Sequence, residues 1–324
     1  MNSTITAALT TEEELQQLKS SLPNELWFNS YPMYFYQNCW NIILESTISC
    51  QNHFKAQDSD IFIASIPKTG TTWLKSLIFS IFNRKNYPIS ENPLLKHNPH
   101  ELIPQLESII YANPQNPDLK TLEKKLNYPR ILGTHLPIQS LPTSIKNSNC
   151  KIIYICRNPF DTFVSSWLFY LNYDENTNVK DDMIEEYFGK FCEGKFPFGG
   201  FEDHVLGYWK ESLERSGKVM FMKFEDLKDD PKSELKKLGE FVACPFSSEE
   251  EEDGVIDEIV KMCSIEKLKE VEANKSGRVY SFIENKWFFR KGEVGDWVNY
   301  LNPCMVERFE KVMSEKFAGY GLEL

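Results

Sequence analysis

Asp60-Ile-Phe-Ile-Ala-Ser-Ile66, followed by Pro67-Lys68-Thr69-Gly70-Thr71-Thr72-Trp73, decides how this chain is read. The first seven residues are a short, nearly continuous apolar run rich in β-branched side chains, the pattern of a strand buried on both faces. The run stops at Pro67. From Thr71 onward Trp73, Leu74, Leu77, Ile78, Ile81 and Phe82 recur at three- and four-residue steps, which is helical spacing. A strand, a turn with one glycine, two hydroxyl residues and a helix start make a phosphate cradle in physical terms. The unpaired amides of a helix N-terminus carry a partial positive charge, and the hydroxyls add donors. Gly70 lets the backbone turn sharply beside an anion, and Lys68 supplies a full charge. The plainer reading of the same residues is a surface turn whose threonines cap a helix. The lysine precedes the glycine and the GxxxxG spacing is missing, which excludes a Walker A loop and argues against an ATPase or GTPase.

Three further short apolar runs read as core strands: Arg130-Ile-Leu-Gly133, Lys151-Ile-Ile-Tyr-Ile-Cys156 and Lys218-Val-Met-Phe-Met-Lys-Phe224. Helical patterns fall at about 160–171, 180–192, 201–215, 231–242, 254–262 and 303–317. Helices alternating with short apolar strands predict an α/β fold, a central mostly parallel sheet flanked by helices in a single domain over 1–324. Such sheets put ligands beyond the carboxyl ends of their strands, so the loops after residues 66, 133, 156 and 224 matter most. Residues 1–58 are expected to form a mostly helical segment packed on that domain, with Thr10 or Thr11 capping an acidic first turn. Glu249 to Asp253, five acids in a row, reads as a solvated loop.

Composition bounds the function. Of 324 residues 41% are hydrophobic, enough for a substantial core, and the formal charge is −11. That balance argues against a sequence-independent grip on nucleic acid or on a membrane surface. No run approaches the ~18 apolar residues of a membrane helix, and the start of the chain lacks the pattern of a signal peptide. The eight cysteines occur singly without CxxC spacing, as reduced thiols do in a cytoplasmic protein, and the five histidines are scattered, so no metal is expected.

Four segments carry a family resemblance. Lys68-Thr-Gly-Thr-Thr-Trp73 is similar to the 5′-phosphosulfate loop of the cytosolic sulfotransferases, which move sulfonate from 3′-phosphoadenosine 5′-phosphosulfate (PAPS). Thr134-His135-Leu136-Pro137 resembles their catalytic-histidine motif. Arg157-Asn-Pro-Phe-Asp161, with Ser165 eight residues after the arginine, resembles their 3′-phosphate site. Phe289-Arg290-Lys291-Gly292 with Gly295-Asp296-Trp297 resembles their C-terminal loop. The order is the family's, and the approach Cys50–Asp60 and the Asn274–Gly277 segment look most like its plant branch.

The resemblance implies roles that the chemistry of each residue type supports. Lys68 stabilises the leaving bridging oxygen, and the amides of Thr69, Gly70, Thr71 and Thr72 fix the 5′-phosphate. Trp73 stacks on adenine. His135 acts as general base on an acceptor hydroxyl, for which a neutral imidazole near pH 7 is suited. Arg157, Ser165, Arg290, Lys291 and Gly292 hold the 3′-phosphate. Phe224 stands where the family has a tyrosine, Ile265 where it often has an aromatic residue, and Gly133 where the animal branch has a lysine. The acceptor is expected to be a small phenolic or steroid-like molecule in a pocket lined by aromatics and aliphatics from Tyr31 to Trp40, from Leu94 to Ile110, around Trp167 and Tyr170, and from Trp287 to Phe289. The expected oligomeric state is a monomer or weak homodimer. A small-molecule kinase or a non-catalytic nucleotide-binding protein on the same fold are the rival readings. The kinase should show a Walker A loop, and the binding protein has no reason to keep both Lys68 and His135.

Overall fold

The computed structural model describes residues 12–124, 129–173, 180–280 and 283–324; the expected cap at Thr10 or Thr11 lies outside them. The N-terminal segment departs from the helical expectation. Between the helices Glu12–Ser21 and Leu44–His53 lies an antiparallel sheet of β1 (Asn24–Trp27), β2 (Tyr31–Tyr36) and β3 (Cys39–Asn41). Its turns put Phe28, Asn29, Gln37 and Asn38 at positive φ. Adjacent left-handed residues suit tight connections between twisted antiparallel strands. The Phe28 ring is fully buried, 4.7 Å from Tyr187 and 5.1 Å from Trp167 between centroids, so tertiary packing offsets the backbone cost.

The central sheet follows the expectation. β4 (Ile61–Ala64), β5 (Ile131–Thr134), β6 (Lys151–Cys156) and β7 (Val219–Lys223) are all parallel, in the order β5-β4-β6-β7. Phe224 leaves the strand and begins a helix, Phe224–Asp229. Side chains alternate between two cores, one on each face. Phe62, Ala64, Ile152, Tyr154 and Cys156 pack on one side, and Ile61, Ile63, Ile153 and Ile155 on the other. Burial of such a side chain contributes about 1.5–3 kcal/mol, and apart from Lys151 and Lys223 at strand ends the positions of these four strands are apolar or small. The helices Pro159–Tyr173, Ile184–Cys192, Phe201–Glu214, Pro231–Phe241, Val255–Met262 and Pro303–Phe317 match the helical patterns read from the sequence.

The acidic run is the second correction. It forms the helix Ser248–Glu252, closed by a capping box between Ser247 and Glu250. Glu250 accepts two hydrogen bonds from Arg84, at 2.8 and 3.1 Å, and this pairing holds its carboxyl down to about 2.

The register aligns the carboxyl ends of the sheet. Ala64 lies opposite both Thr134 and Tyr154, so Ser65 and His135 emerge side by side. At the β5 edge the Gly133 amide donates to the Pro104 carbonyl, drawing Gln105 and Glu107 against the strand.

Candidate active site

Beyond those strand ends opens a cavity of about 790 Å³. Lys68, Gly70, Thr71, Thr72, Trp73, His135, Arg157, Ser165, Phe224, Arg290 and Gly292 line it together, although they span more than 220 residues of chain.

The loop after β4 carries two residues at positive φ, Lys68 at 75° and Gly70 at 112°. For lysine this conformation costs on the order of 1 kcal/mol or more, and such strain gathers at functional sites. Glycine at 70 is also a matter of space, because a Cβ there would sit 2.7 Å from the Phe224 ring. Lys68 Nζ donates to the Trp287 carbonyl at 3.1 Å and lies 4.2 Å from the Phe169 ring centroid. Among the described residues it makes no ion pair. Burial, reinforced by Arg290 and Arg157, brings its ammonium down to about 7.

Two expected residues point elsewhere. The buried Thr69 hydroxyl contacts the carbonyls of Ile66 and Ile155, both at 2.9 Å, so that side chain ties the loop to β6 and leaves only its amide for a ligand. Lys291 is outside the cavity lining and pairs with Asp296 at 2.7 Å.

Arg157 follows β6 directly and is 4% exposed. It meets Asp161 at 3.4 Å, donates to the Glu293 carbonyl and lies 4.7 Å from the Phe224 ring centroid. Asp161 in turn accepts from the amides of Gly295, at 2.7 Å, and Trp297, at 3.1 Å, docking the C-terminal loop beside the arginine. Arg290 pairs with Asp296. Arg157 Nε and Arg290 Nε and Nη2 are buried N–H groups with no partner among the described residues. An unsatisfied buried donor is costly, more so when charged, and an anion such as a phosphate would satisfy all three. Phe224 turns the edge of its ring to Trp73, with centroids 5.6 Å apart.

His135 follows β5. Its amide donates to Glu107 at 2.6 Å, and its carbonyl faces His204 Nε2 at 3.1 Å. Its Nδ1 faces the Ser65 carbonyl at 2.8 Å, and a carbonyl can only accept, so Nδ1 carries the proton. Nε2 is left as the basic nitrogen, without a partner among the described residues. Burial first, then Lys75, His204 and Lys68, depresses the imidazole to about 3.

Residues that sequence reading passed over complete the lining. His100, counted there only as one of five scattered histidines, rests on the Phe288 ring at 4.4 Å and hydrogen-bonds Thr72. Ile42, Ile43, Ser46, Ser108, Ala112, Phe198 and Tyr280 join Tyr31, Phe169, Tyr170, Phe288 and Phe289, which were among the aromatics and aliphatics of the expected stretches. Trp167 and Leu94, expected at the pocket, belong to the core.

A helix start and a second, buried cation cluster, both at the carboxyl edge of a parallel sheet, have the make-up of a site for a ligand with two anionic groups, as a phosphate-binding enzyme of the α/β class would present. Comparison with known proteins sharpens this. The model of the sulfotransferase domain matches residues 58–321. Cytosolic sulfotransferase 5 of Arabidopsis thaliana is 44% identical over 315 residues, covering 96% of each chain. Cytosolic sulfotransferase 15 of the same plant is 44% identical over 315 residues, 95% of this chain and 86% of its own length. Among solved structures, an A. thaliana protein assigned as a steroid sulphotransferase superposes with a TM-score of 0.74 at 37% identity, over 98% of this chain and 99% of that one. Mouse sulfotransferase SULT7A1, complexed with PAP, gives 0.68 at 27% identity, over 89% and 94%. The chain belongs to the sulfotransferase family. It is a PAPS-dependent sulfotransferase, with PAPS as its co-substrate. Among the described residues no helix is long and apolar enough to cross a membrane, and no group of three or more His, Cys, Asp or Glu could hold a metal.

Proposed function

We propose that this enzyme transfers the PAPS sulfonate to a neutral hydroxyl of a flat apolar molecule, of phenolic or steroid-like shape, with His135 as general base and Lys68 stabilising the leaving phosphate oxygen. The observation that carries the reading is the polarity of one cavity. Among the described residues, guanidinium N–H groups left unpaired and an ammonium without a carboxylate partner share it with an imidazole whose free nitrogen is the basic one.

The oxygen of the acceptor hydroxyl attacks sulfur in line as the bond from sulfur to the bridging phosphate oxygen breaks. His135 Nε2 takes the hydroxyl proton, and negative charge gathers on the bridging oxygen, where Lys68 offsets it. The amides from Thr69 to Thr72 and the hydroxyls of Thr71 and Thr72 hold the 5′-phosphate. Arg157, Ser165 and Arg290 hold the 3′-phosphate, with Gly292 in the closing loop, while Trp73 and Phe224 flank the adenine. Lys291, paired with Asp296 away from the cavity, is left out of the binding set.

Tyr31, Ile42, Ile43, Phe169, Tyr170 and Phe198 contribute hydrocarbon and phenol surface to the cavity, the Phe198 ring 5.3 Å from that of His135, and among the described lining residues the cation beside this surface is Lys68, 4.2 Å from the Phe169 ring. With Lys68 committed to the donor, an acceptor carrying its own carboxylate would be desolvated there without a partner of its own. Phenols and sterols are therefore favoured over hydroxy acids. Radiolabelled PAPS incubated with a panel of all three classes tests this. Label moving to the neutral compounds supports the reading, and label moving only to the hydroxy acids overturns the acceptor class.

A further inference from the structure

Five hydrogen bonds run unbroken from the phosphosulfate loop to the base. Thr72 Oγ1 and His100 Nε2 are 2.8 Å apart, and His100 Nδ1 lies 3.1 Å from Lys75 Nζ. Lys75 donates to Gln105 Oε1 at 3.0 Å, Gln105 Nε2 donates to Glu107 at 3.2 Å, and Glu107 accepts the His135 amide at 2.6 Å. Lys75, Gln105 and Glu107 are wholly buried, and His100 is 3% exposed. None of the reaction steps above uses Lys75 or His100.

The direction of each bond follows from what each group can do. A carboxylate only accepts, so the amide nitrogen of Gln105 faces Glu107 and its oxygen faces Lys75. An ammonium only donates, so Lys75 in its charged form, which burial brings down to about 7 against the opposing pull of Glu107, donates one N–H to Gln105 Oε1 and another to His100 Nδ1. His100 must then carry its own proton on Nε2 and donate to Thr72 Oγ1. With its oxygen accepting from His100, the Thr72 hydroxyl turns its hydrogen away from the ring and toward the cavity. A Cβ at Gly133 would stand 2.2 Å from Gln105 Oε1 and 2.8 Å from Lys75 Nζ, so glycine there leaves room for the lysine head.

We propose that Lys75 is a positioning residue for the donor: through His100 it fixes the Thr72 hydroxyl as a hydrogen-bond donor to the 5′-phosphosulfate. The inference rests on the PAPS reading given above. It assigns Lys75 no contact with the ligand, and it makes the lysine's effect conditional on the Thr72 hydroxyl. Orienting a hydroxyl in advance saves the cost of ordering it on binding, and a hydrogen bond to a charged group is among the strong ones.

A double-mutant cycle read by calorimetric titration of PAPS and of PAP, without acceptor, tests the coupling. Lys75→Met and Thr72→Val are each expected to weaken PAPS binding by about tenfold, the scale of one charged hydrogen bond, and the double variant to be no weaker than either alone. His100→Phe keeps a ring against Phe288 while removing both nitrogens. It should reproduce the Lys75→Met loss and stands in for it should that variant not fold. In the wild type, ¹⁵N shifts of the His100 ring should report the Nε2–H tautomer. Unchanged affinity in Lys75→Met or His100→Phe, or losses that simply add in the double variant, would overturn the proposal and leave the donor assignment standing. A wild type that binds neither nucleotide overturns both.

Discussion

The Nδ1–H of His135 is held 2.8 Å from the backbone carbonyl of Ser65, the residue that follows β4 and begins the phosphosulfate loop. The strand that leads into the proposed donor cradle thus also sets the tautomer of the imidazole proposed as base on its neighbour. With Nδ1 occupied, proton abstraction can occur only at Nε2, and the ring cannot rotate without losing that bond.

Removing the base should separate binding from chemistry. His135→Ala is expected to lose about 10²–10⁴-fold in transfer rate, the usual contribution of a general base. PAP affinity by calorimetry should stay near wild type, because the groups proposed to hold its phosphates are other residues. A variant that turns over labelled PAPS at the wild-type rate would show that the base is misassigned.

Binding of the nucleotide should take up protons. In the free protein the Lys68 ammonium is brought to about 7 by burial and by Arg290 and Arg157. Two phosphate groups beside it favour the charged form, so at pH 8 the complex should gain up to about one proton at this lysine. Calorimetry of PAP in buffers of different ionisation enthalpy measures this directly. Identical heats in both buffers would contradict it, and Lys68→Gln should reduce the uptake.

The two basic residues of the C-terminal loop should behave differently despite being adjacent. Arg290→Ala and Arg157→Ala each remove buried guanidinium donors and should weaken PAP binding by at least tenfold, about 1.5–3 kcal/mol for each charged hydrogen bond lost. The Lys291 side chain is 43% exposed and paired with Asp296, so Lys291→Ala should change affinity by less than about 0.5 kcal/mol. A larger effect from Lys291 than from Arg290 would mean that the loop closes differently over the ligand.

Acid should destabilise the ligand-free enzyme earlier than its carboxylates alone would predict. Burial keeps His135 near 3, His204 near 4 and His100 well below its ordinary value, whereas in the unfolded chain all three titrate near 6.5. The unfolded state therefore binds more protons, and stability falls as pH drops below about 6.5 toward those folded values. Glu107 and Glu202, raised by burial, act in the opposite sense just above pH 4.5, but they are two groups against three. Urea midpoints should decline steadily between pH 7 and 5, and a flat profile would show that these imidazoles charge without unfolding.

Much of this architecture could be read directly from the chain. Ile61–Ala64, Ile131–Thr134 and Lys151–Cys156 are strands because short β-branched runs buried on both faces have few other uses. Their order along the chain, with helices between them, left a parallel sheet and its carboxyl edge as the place to look. His135 and Arg157 could be singled out because each follows such a strand immediately, and Lys68 because it sits in the turn between such a strand and a helix start. The N-terminal sheet was hidden, since Gln37-Asn38 and Phe28-Asn29 lack the glycine that usually marks a left-handed turn.

The local pattern of this sequence determined the strands of the central sheet, the longer helices around it and the strand ends where a site was to be sought, because those choices depend on side-chain period and on proline and glycine placement within a few residues. Partnership was decided only in the folded molecule. Thr69 and Lys291 look like ligand residues by position, yet one hydroxyl ties a loop to β6 and the other side chain satisfies Asp296. Lys75 and His100 look like an ordinary helix lysine and a stray histidine until Gly133 and Gln105 are brought beside them. Hydrogen bonds and desolvation act over a few ångströms in space, and no spacing along a chain records which groups folding will bring that close.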